Sequence, residues 1–236
     1  MQPVGSVVVT KDTPSSTQFY FVLNKDALVR KGQFVQVETE EGLLVARVAE
    51  VFKLNEYFSN AEFVRSYEHA GGMANFFPVE EGEYWIAKAL PLGVFVGSKQ
   101  ERVGVPPSPG RQVYVASNEV LKSFLGIDDS GLNIGKLAYH ELEVKLNLTK
   151  LFQKHVAILS ISGGGKSYTT AVLIEELLKR KVAPAIIVID PHGEYVSFAE
   201  DENFRHKVRV FSKDEISIAA SSLSANQILE FLPQMS

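Results

Sequence analysis

The sequence predicts a multi-domain chain: a small N-terminal β domain followed by an incomplete α/β P-loop core. Three observations carry that prediction. Residues 4–52 are short apolar runs separated by turn residues. The turn Val105-Pro106-Pro107-Ser108-Pro109-Gly110 interrupts the chain. Beyond it, apolar runs alternate with helix-forming segments, and one junction reads Ser160-Ile161-Ser162-Gly163-Gly164-Gly165-Lys166-Ser167.

The N-terminal elements follow from period and punctuation. Residues 7–9 open the first strand, a turn falls at Asp12-Thr13-Pro14-Ser15, and residues 19–23 form an aromatic strand. After the Lys31-Gly32 turn, Val35, Val37 and Thr39 alternate with Gln36, Glu38 and Glu40, the period of a half-buried strand. Glu41-Gly42 connects this run tightly to residues 43–51. Short strands at such spacing predict a small barrel or sandwich. Over residues 56–68, Tyr57, Phe58, Ala61, Val64 and Tyr67 recur at helical spacing. That segment is a helical insertion on the β domain, or else a docking surface for a partner. Strand character returns at residues 84–90.

Three prolines and a glycine exclude a central strand or a helix across residues 105–110. The expected domains are therefore 1–106, the β domain, and 107–236, the P-loop domain. A strand is expected at 112–116, a helix at 118–125 capped by Asn118, and a strand pair at 134–139 and 142–146. Residues 156–160, 185–190 and 208–211 are apolar throughout, as in parallel strands covered on both faces. Helices are expected at 167–181 and at 223–232, the latter capped by Ser222 or Ser224.

Composition narrows the class. The chain has 236 residues, 45% hydrophobic and 22% charged, as in soluble globular proteins. It has no cysteine, which excludes disulfides and cysteine-based zinc sites and fits a cytoplasmic setting. The N-terminus has no basic segment leading into a long apolar stretch, so no signal peptide is expected. No apolar run approaches the roughly 18 residues of a membrane span, so no membrane partner is expected. Residues 1–150 carry 15 basic and 18 acidic side chains, and residues 151–236 carry 9 and 10. Nucleic acid could therefore be gripped only by a local patch, an assembled pore or further sequence.

The glycine junction is where chemistry is expected. An apolar run, a glycine loop ending in Lys-Ser and a helix make the context of a phosphate-binding P-loop. N–H groups of Ser162, Gly163, Gly164 and Gly165 and the helix start at Lys166, Ser167 and Tyr168 would cradle a nucleotide. Lys166 would reach the β- and γ-phosphates of ATP, and the Ser167 hydroxyl would ligate Mg²⁺. The pattern G-x-x-x-x-G-K-[ST] begins here with Ser160. Residues 185–190 lead into Asp190-Pro191-His192-Gly193-Glu194-Tyr195, a loop beyond the carboxyl end of the next strand. Ligands bind at such ends. Asp190 and Glu194 are therefore candidate catalytic carboxylates beside Lys166. The competing reading is a turn in which Asp caps, Pro fixes φ and Gly reverses the chain. An isolated loop histidine such as His192 is more often structural than catalytic.

GGGKS together with IDPHGEY resembles the HerA family of ATPases, in the HerA–FtsK division of hexameric DNA pumps. The approach LFQKHVAILSISGGGKSYTTAVLIEELL is also similar to that family's. The resemblance implies a HAS-barrel at the N-terminus and a RecA-like ATPase core. It implies an ATP-driven translocase or helicase working as a homo-hexameric ring on double-stranded DNA, with a NurA-type nuclease as partner. It also implies a nucleotide contact from Lys154, which stands where the family carries a basic residue. Lysine lacks the bidentate fork of arginine. Residues 196–236 contain no apolar strand ending in Asp-Glu, so a Walker B strand, sensor and arginine finger are missing. The expectation is a truncated chain whose parent is the pump. The alternatives are a non-hydrolysing assembly or docking module, and a piece of another P-loop protein, such as a rotary ATPase subunit or a small-molecule kinase.

Overall fold

The computed structural model describes residues 2–55, 58–59, 61–68, 82–213, 215–216 and 219–231. They fall into two compact units, 1–156 and 157–236.

The first unit is built on a closed ring of antiparallel strands. These are β1 (Gly5–Val8), β2 (Phe19–Leu23), β3 (Phe34–Glu38), β4 (Leu43–Asn55), β5 (Glu83–Val96) and β7 (Gln112–Val115). The order β2-β1-β7-β3-β4-β5 is closed by a further β2–β5 pairing. The short β6 (Lys99–Glu101) extends one end of β5. Ring closure removes the free edges that a small sheet would otherwise present to other chains. It also decides between the barrel and the sandwich left open by strand spacing.

Alternation predicts the interior correctly. Val35 and Val37 of β3 are fully buried, as are Phe19 and Phe21 of β2. Ala46, Ala87 and Ala89 are buried opposite these large rings, so small residues make room for phenylalanines within one core. β4 and β5 are long and pair over nearly their whole length, with register shifts at Val45/Ala46 and Val48/Glu50. Such bulges bend a long strand enough to follow a tight ring.

Between β4 and β5 the expected insertion is present as helix α1 (Ala61–Glu68). Tyr57 lies outside the described residues. Two expectations change. The proline-rich turn lies inside the first unit, because β7 beyond it pairs with both β1 and β3. The barrel therefore cannot end at residue 106. Glu40 and Glu41 fix that turn: Glu40 accepts from Ser108 and Arg111, and Glu41 from the N–H groups of Gly104 and Val105. The second change is a cap. Helix α2 (Asn118–Leu125) begins one residue after its cap, since Ser117 Oγ accepts from Val120 N–H. Asn118 instead donates to the carbonyl of Glu141.

The α/β region continues with the hairpin of β8 (Leu132–Lys136) and β9 (Glu143–Leu146), close to the expected pair. Its turn is fastened to the barrel by His140, which is 8% exposed. His140 Nε2 accepts from Phe34 N–H at 3.1 Å, so the ring is neutral there. Helix α3 (Leu148–Phe152) follows, with Asn147 Oδ1 accepting from Lys150 N–H.

In the second unit, helices form as expected and strands do not. Helix α4 (Lys166–Leu178) follows the glycine loop, and helix α5 (Ala225–Phe231) ends the described chain. Ser224 caps α5 through a reciprocal pair with Gln227, a capping box. Leu232 lies outside the described residues. Residues 156–160, 185–190 and 208–211 form no ladder. An apolar run fixes a demand for burial, but a strand exists only once a neighbour takes its N–H and C=O groups. That demand is unmet here: Leu159, Ile161, Ile187 and Ile189 are 85–92% exposed. Among the described residues no helix is long and apolar enough to cross a membrane.

Two outcomes are expected. Residues 1–156 expressed alone should unfold cooperatively by circular dichroism. Residues 1–106, which lack β7 and leave β1 and β3 with open edges, should not. Burial also lowers the pKa of His140 below its ordinary value. The unfolded chain then binds the extra proton first, so stability is complete above about pH 6.5 and falls as pH drops below it. A His140→Ala variant should lose about 1–2 kcal/mol at neutral pH and much of this acid sensitivity, measured by urea unfolding across pH.

Candidate functional site

Helix α4 starts abruptly because its N-cap is glycine. Gly165 has φ +83° and Gly163 φ +75°, left-handed conformations that side chains disfavour. No side chain caps the helix, and its first turn has no acidic residue. The first-turn N–H groups and the positive end of the helix dipole are thus left for an anion. Gly164 N–H donates to the carbonyl of Ile161 at 3.0 Å, which curls the loop back on itself. A Cβ on Gly164 would lie 2.9 Å from Cβ of Ser160. The residue departing from the P-loop pattern is therefore a small side chain packed under the loop, its hydroxyl donating to Ile161.

Lys166, Ser167 and Tyr168 stand at the head of α4, Lys166 as its first residue. Lys166 is exposed, and none of the ion pairs among the described residues includes it. Tyr168 is 76% exposed. Ser167 is engaged: its hydroxyl donates to Glu194 Oε1 at 2.8 Å. Two motifs separated in sequence, the glycine loop and the loop after residue 190, thus meet through one hydrogen bond.

The second loop owes its shape to Asp190. Its Oδ2 accepts from Tyr195 N–H at 2.9 Å, and its carbonyl from Gly193 N–H at 3.4 Å. Gly193 takes φ +71°, the reversal expected of this glycine. The Tyr195 N–H above all, opposed by burial and aided by the N–H groups of Glu194, His192 and Gly193, holds the Asp190 carboxyl below its ordinary range. Asp190 is a carboxylate turned into its own loop, whereas Glu194 is turned toward Ser167. His192 is exposed. Ser162 is exposed within the glycine loop, and Lys154 belongs to the first unit.

The far end of α4 is held by a residue that gave no signal in the sequence. Lys207 Nζ donates to the carbonyl of Leu178 at 2.6 Å, a cation at a helix C-terminus. Lys179 pairs with Glu175 and Glu176 at 2.7 and 3.0 Å, and these raise its pKa. Beside this end lies an apolar cleft of about 1250 Å³, lined by Ile174, Leu178, Ile186, Val188, Val208 and Val210 among others. It is distinct in character from the glycine loop, which is polar and open.

Residues 132–236 match the family model described as Helicase HerA, central domain. The chain is 29% identical over 201 residues to the DNA double-strand break repair helicase HerA of Pyrococcus furiosus, covering 81% of this chain and 34% of that protein. It is 38% identical over 135 residues to the probable DNA double-strand break repair helicase HerA of Methanocaldococcus jannaschii, covering 57% and 26%. A probable helicase of the same organism, MJ1565, is 46% identical over 103 residues, covering 43% and 19%. The chain thus spans about a third or less of the length of these relatives. At family level it joins a closed β-barrel to a region similar to the HerA central domain.

Proposed function

We propose that this chain supplies the barrel and the nucleotide-binding part of an ATP-driven translocase or helicase. In this reading it moves as a hexameric ring on double-stranded DNA, in the processing and repair of DNA ends. The observation that carries the reading is the Ser167–Glu194 hydrogen bond beside an uncapped glycine loop. The similarity to HerA helicases supports the ATP-dependent, DNA-directed part. The ring and a NurA-type nuclease partner are taken from the resemblance.

The residues present fit a nucleoside triphosphate. Backbone N–H groups of the glycine loop and the head of α4, other than that of Gly164, which donates to Ile161, would meet the phosphates, and Lys166 would add the charge that meets the β- and γ-oxygens. Tyr168 borders the nucleotide from the first turn of α4. The donor set also fits Mg²⁺. Because the Ser167 hydroxyl donates its hydrogen bond to Glu194, its lone pairs are left to face a cation. Among the described residues no group of three or more His, Asp or Glu side chains could hold a metal alone. Mg²⁺ would accordingly enter with the phosphates, through Ser167, with Glu194 one hydrogen bond behind. Once bound, the ion neutralises charge on the phosphates. Glu194 fixes the Ser167 rotamer and presents its second oxygen to orient an attacking water.

Lys166→Ala should weaken nucleotide binding by about tenfold or more while leaving the circular dichroism spectrum intact. Unchanged affinity for a fluorescent ATP analogue would defeat the assignment. Ser167→Ala should act through the metal, and raised Mg²⁺ should recover part of the loss. Glu194→Gln should keep affinity within about threefold but lower turnover by roughly 10²-fold or more, measured as phosphate release by the protein carrying this sequence.

A further inference from the structure

We propose that Asp190 is a positioning residue: by accepting the Tyr195 N–H it folds the Asp190–Tyr195 loop so that Glu194 meets the Ser167 hydroxyl. This rests on the nucleotide-binding reading of Ser167 and Glu194. It assigns Asp190 a role different from that of a carboxylate touching metal or phosphate.

Three contacts make the arrangement. Asp190 Oδ2 accepts from Tyr195 N–H at 2.9 Å, five residues along the chain. Its own carbonyl accepts from Gly193 N–H at 3.4 Å, closing the inner turn. Glu194, held between those two donors, reaches Ser167 at 2.8 Å. Geometry leaves little freedom between them. Pro191 fixes one φ, and Gly193 occupies the left-handed region at φ +71°. Past Tyr195 the chain enters a 3₁₀ turn, Val196–Ala199, in which Phe198 N–H donates to the carbonyl of Tyr195. Asp190 and the turn therefore grip Tyr195 from both of its backbone sides. The N–H groups of His192, Gly193 and Glu194 also stabilise the Asp190 carboxylate. Oδ2 of this carboxylate is thus committed to the backbone of its own loop. Loss of the Tyr195 bond frees the loop to reopen, and Glu194 then departs from Ser167.

The test compares Asp190→Asn, which keeps an oxygen acceptor and removes the charge, with Asp190→Ala, which removes both. The first readout is amide hydrogen exchange of the nucleotide-free protein. Exchange at Gly193–Tyr195 should rise about tenfold in Asp190→Ala and by less than about threefold in Asp190→Asn. The second is a double-mutant cycle on ATP turnover. If Asp190 acts through Glu194, Asp190→Ala combined with Glu194→Gln should be no slower than Glu194→Gln alone. Equal losses in Asp190→Asn and Asp190→Ala, or additive losses in the double variant, would overturn the proposal, because a residue touching metal or phosphate depends on its charge and acts independently. Unchanged loop exchange in Asp190→Ala would overturn it too. The exchange arm needs no nucleotide, so it stands whether or not Lys166→Ala shows that the loop binds one.

Discussion

Ring closure is the constraint on which the first unit depends. A six-stranded sheet this small has a narrow core, and an open version would leave two edges and one apolar face unpaired. The β2–β5 pairing removes both edges. Once the ring is closed, interior positions must alternate in size, which accounts for Ala46, Ala87 and Ala89 beside Phe19 and Phe21. The second packing face follows as well. Val45 lies on the outside of the ring, and Leu121 of α2 covers it together with Ala116, Phe95 and Phe124. His140 then ties the hairpin turn to the same face through the backbone of β3.

The second unit follows a different logic. Its order comes from helix ends rather than from a filled core. One end of α4 has no side-chain cap and no acidic residue in its own first turn, and the carboxylate that approaches it, Glu194, is engaged by the Ser167 hydroxyl. The other is closed by Lys207 and by the Lys179 ion pairs. The helix dipole is thus complemented by cations at its C-terminus, while no side chain caps the backbone N–H groups at its N-terminus. A helix N-terminus of that kind suits an anion. In the proposed reading, Lys166, Ser167 and Glu194 would direct that end toward a metal-bearing polyphosphate.

Much of the chain was legible in the sequence because local rules dominate there. Val35 and Val37 announced a half-buried strand, Ser222 or Ser224 a helix cap, which Ser224 supplies, and the glycines at 163–165 a turn leading into a helix. What escaped depends on distant partners. The proline-rich turn read as a boundary because prolines forbid regular structure, yet the adjacent β7 is recruited back into the ring by β1 and β3. Asn118 looked like a cap by residue type, but Ser117 reaches the first-turn N–H and Asn118 is drawn to Glu141. Asp190 and Glu194 carry the same charge and sit four residues apart. Only the fold separates them, turning one into its own loop and the other to Ser167. Residues 185–190 read as strand from their apolar run, and no neighbour pairs with them among the described residues.

The position of β7 in the ring also bears on how the barrel comes into being. Gly5 pairs with Val113, so the last strand of the ring meets the first across more than a hundred residues of chain. During synthesis the earlier strands can form hairpins as they emerge, but the ring stays open until Val115 has left the ribosome. Up to then β1 and β3 expose free edges, and the nascent chain depends on chaperones or on speed to avoid pairing with its neighbours. Long-range closure of this kind also slows folding, since loop entropy is lost before the final ladders form. The two glutamates at the β3–β4 turn, Glu40 and Glu41, hold the proline-rich segment that delivers β7. They act on the arrival of the closing strand, and so on the interval during which the young protein is most exposed to misassembly.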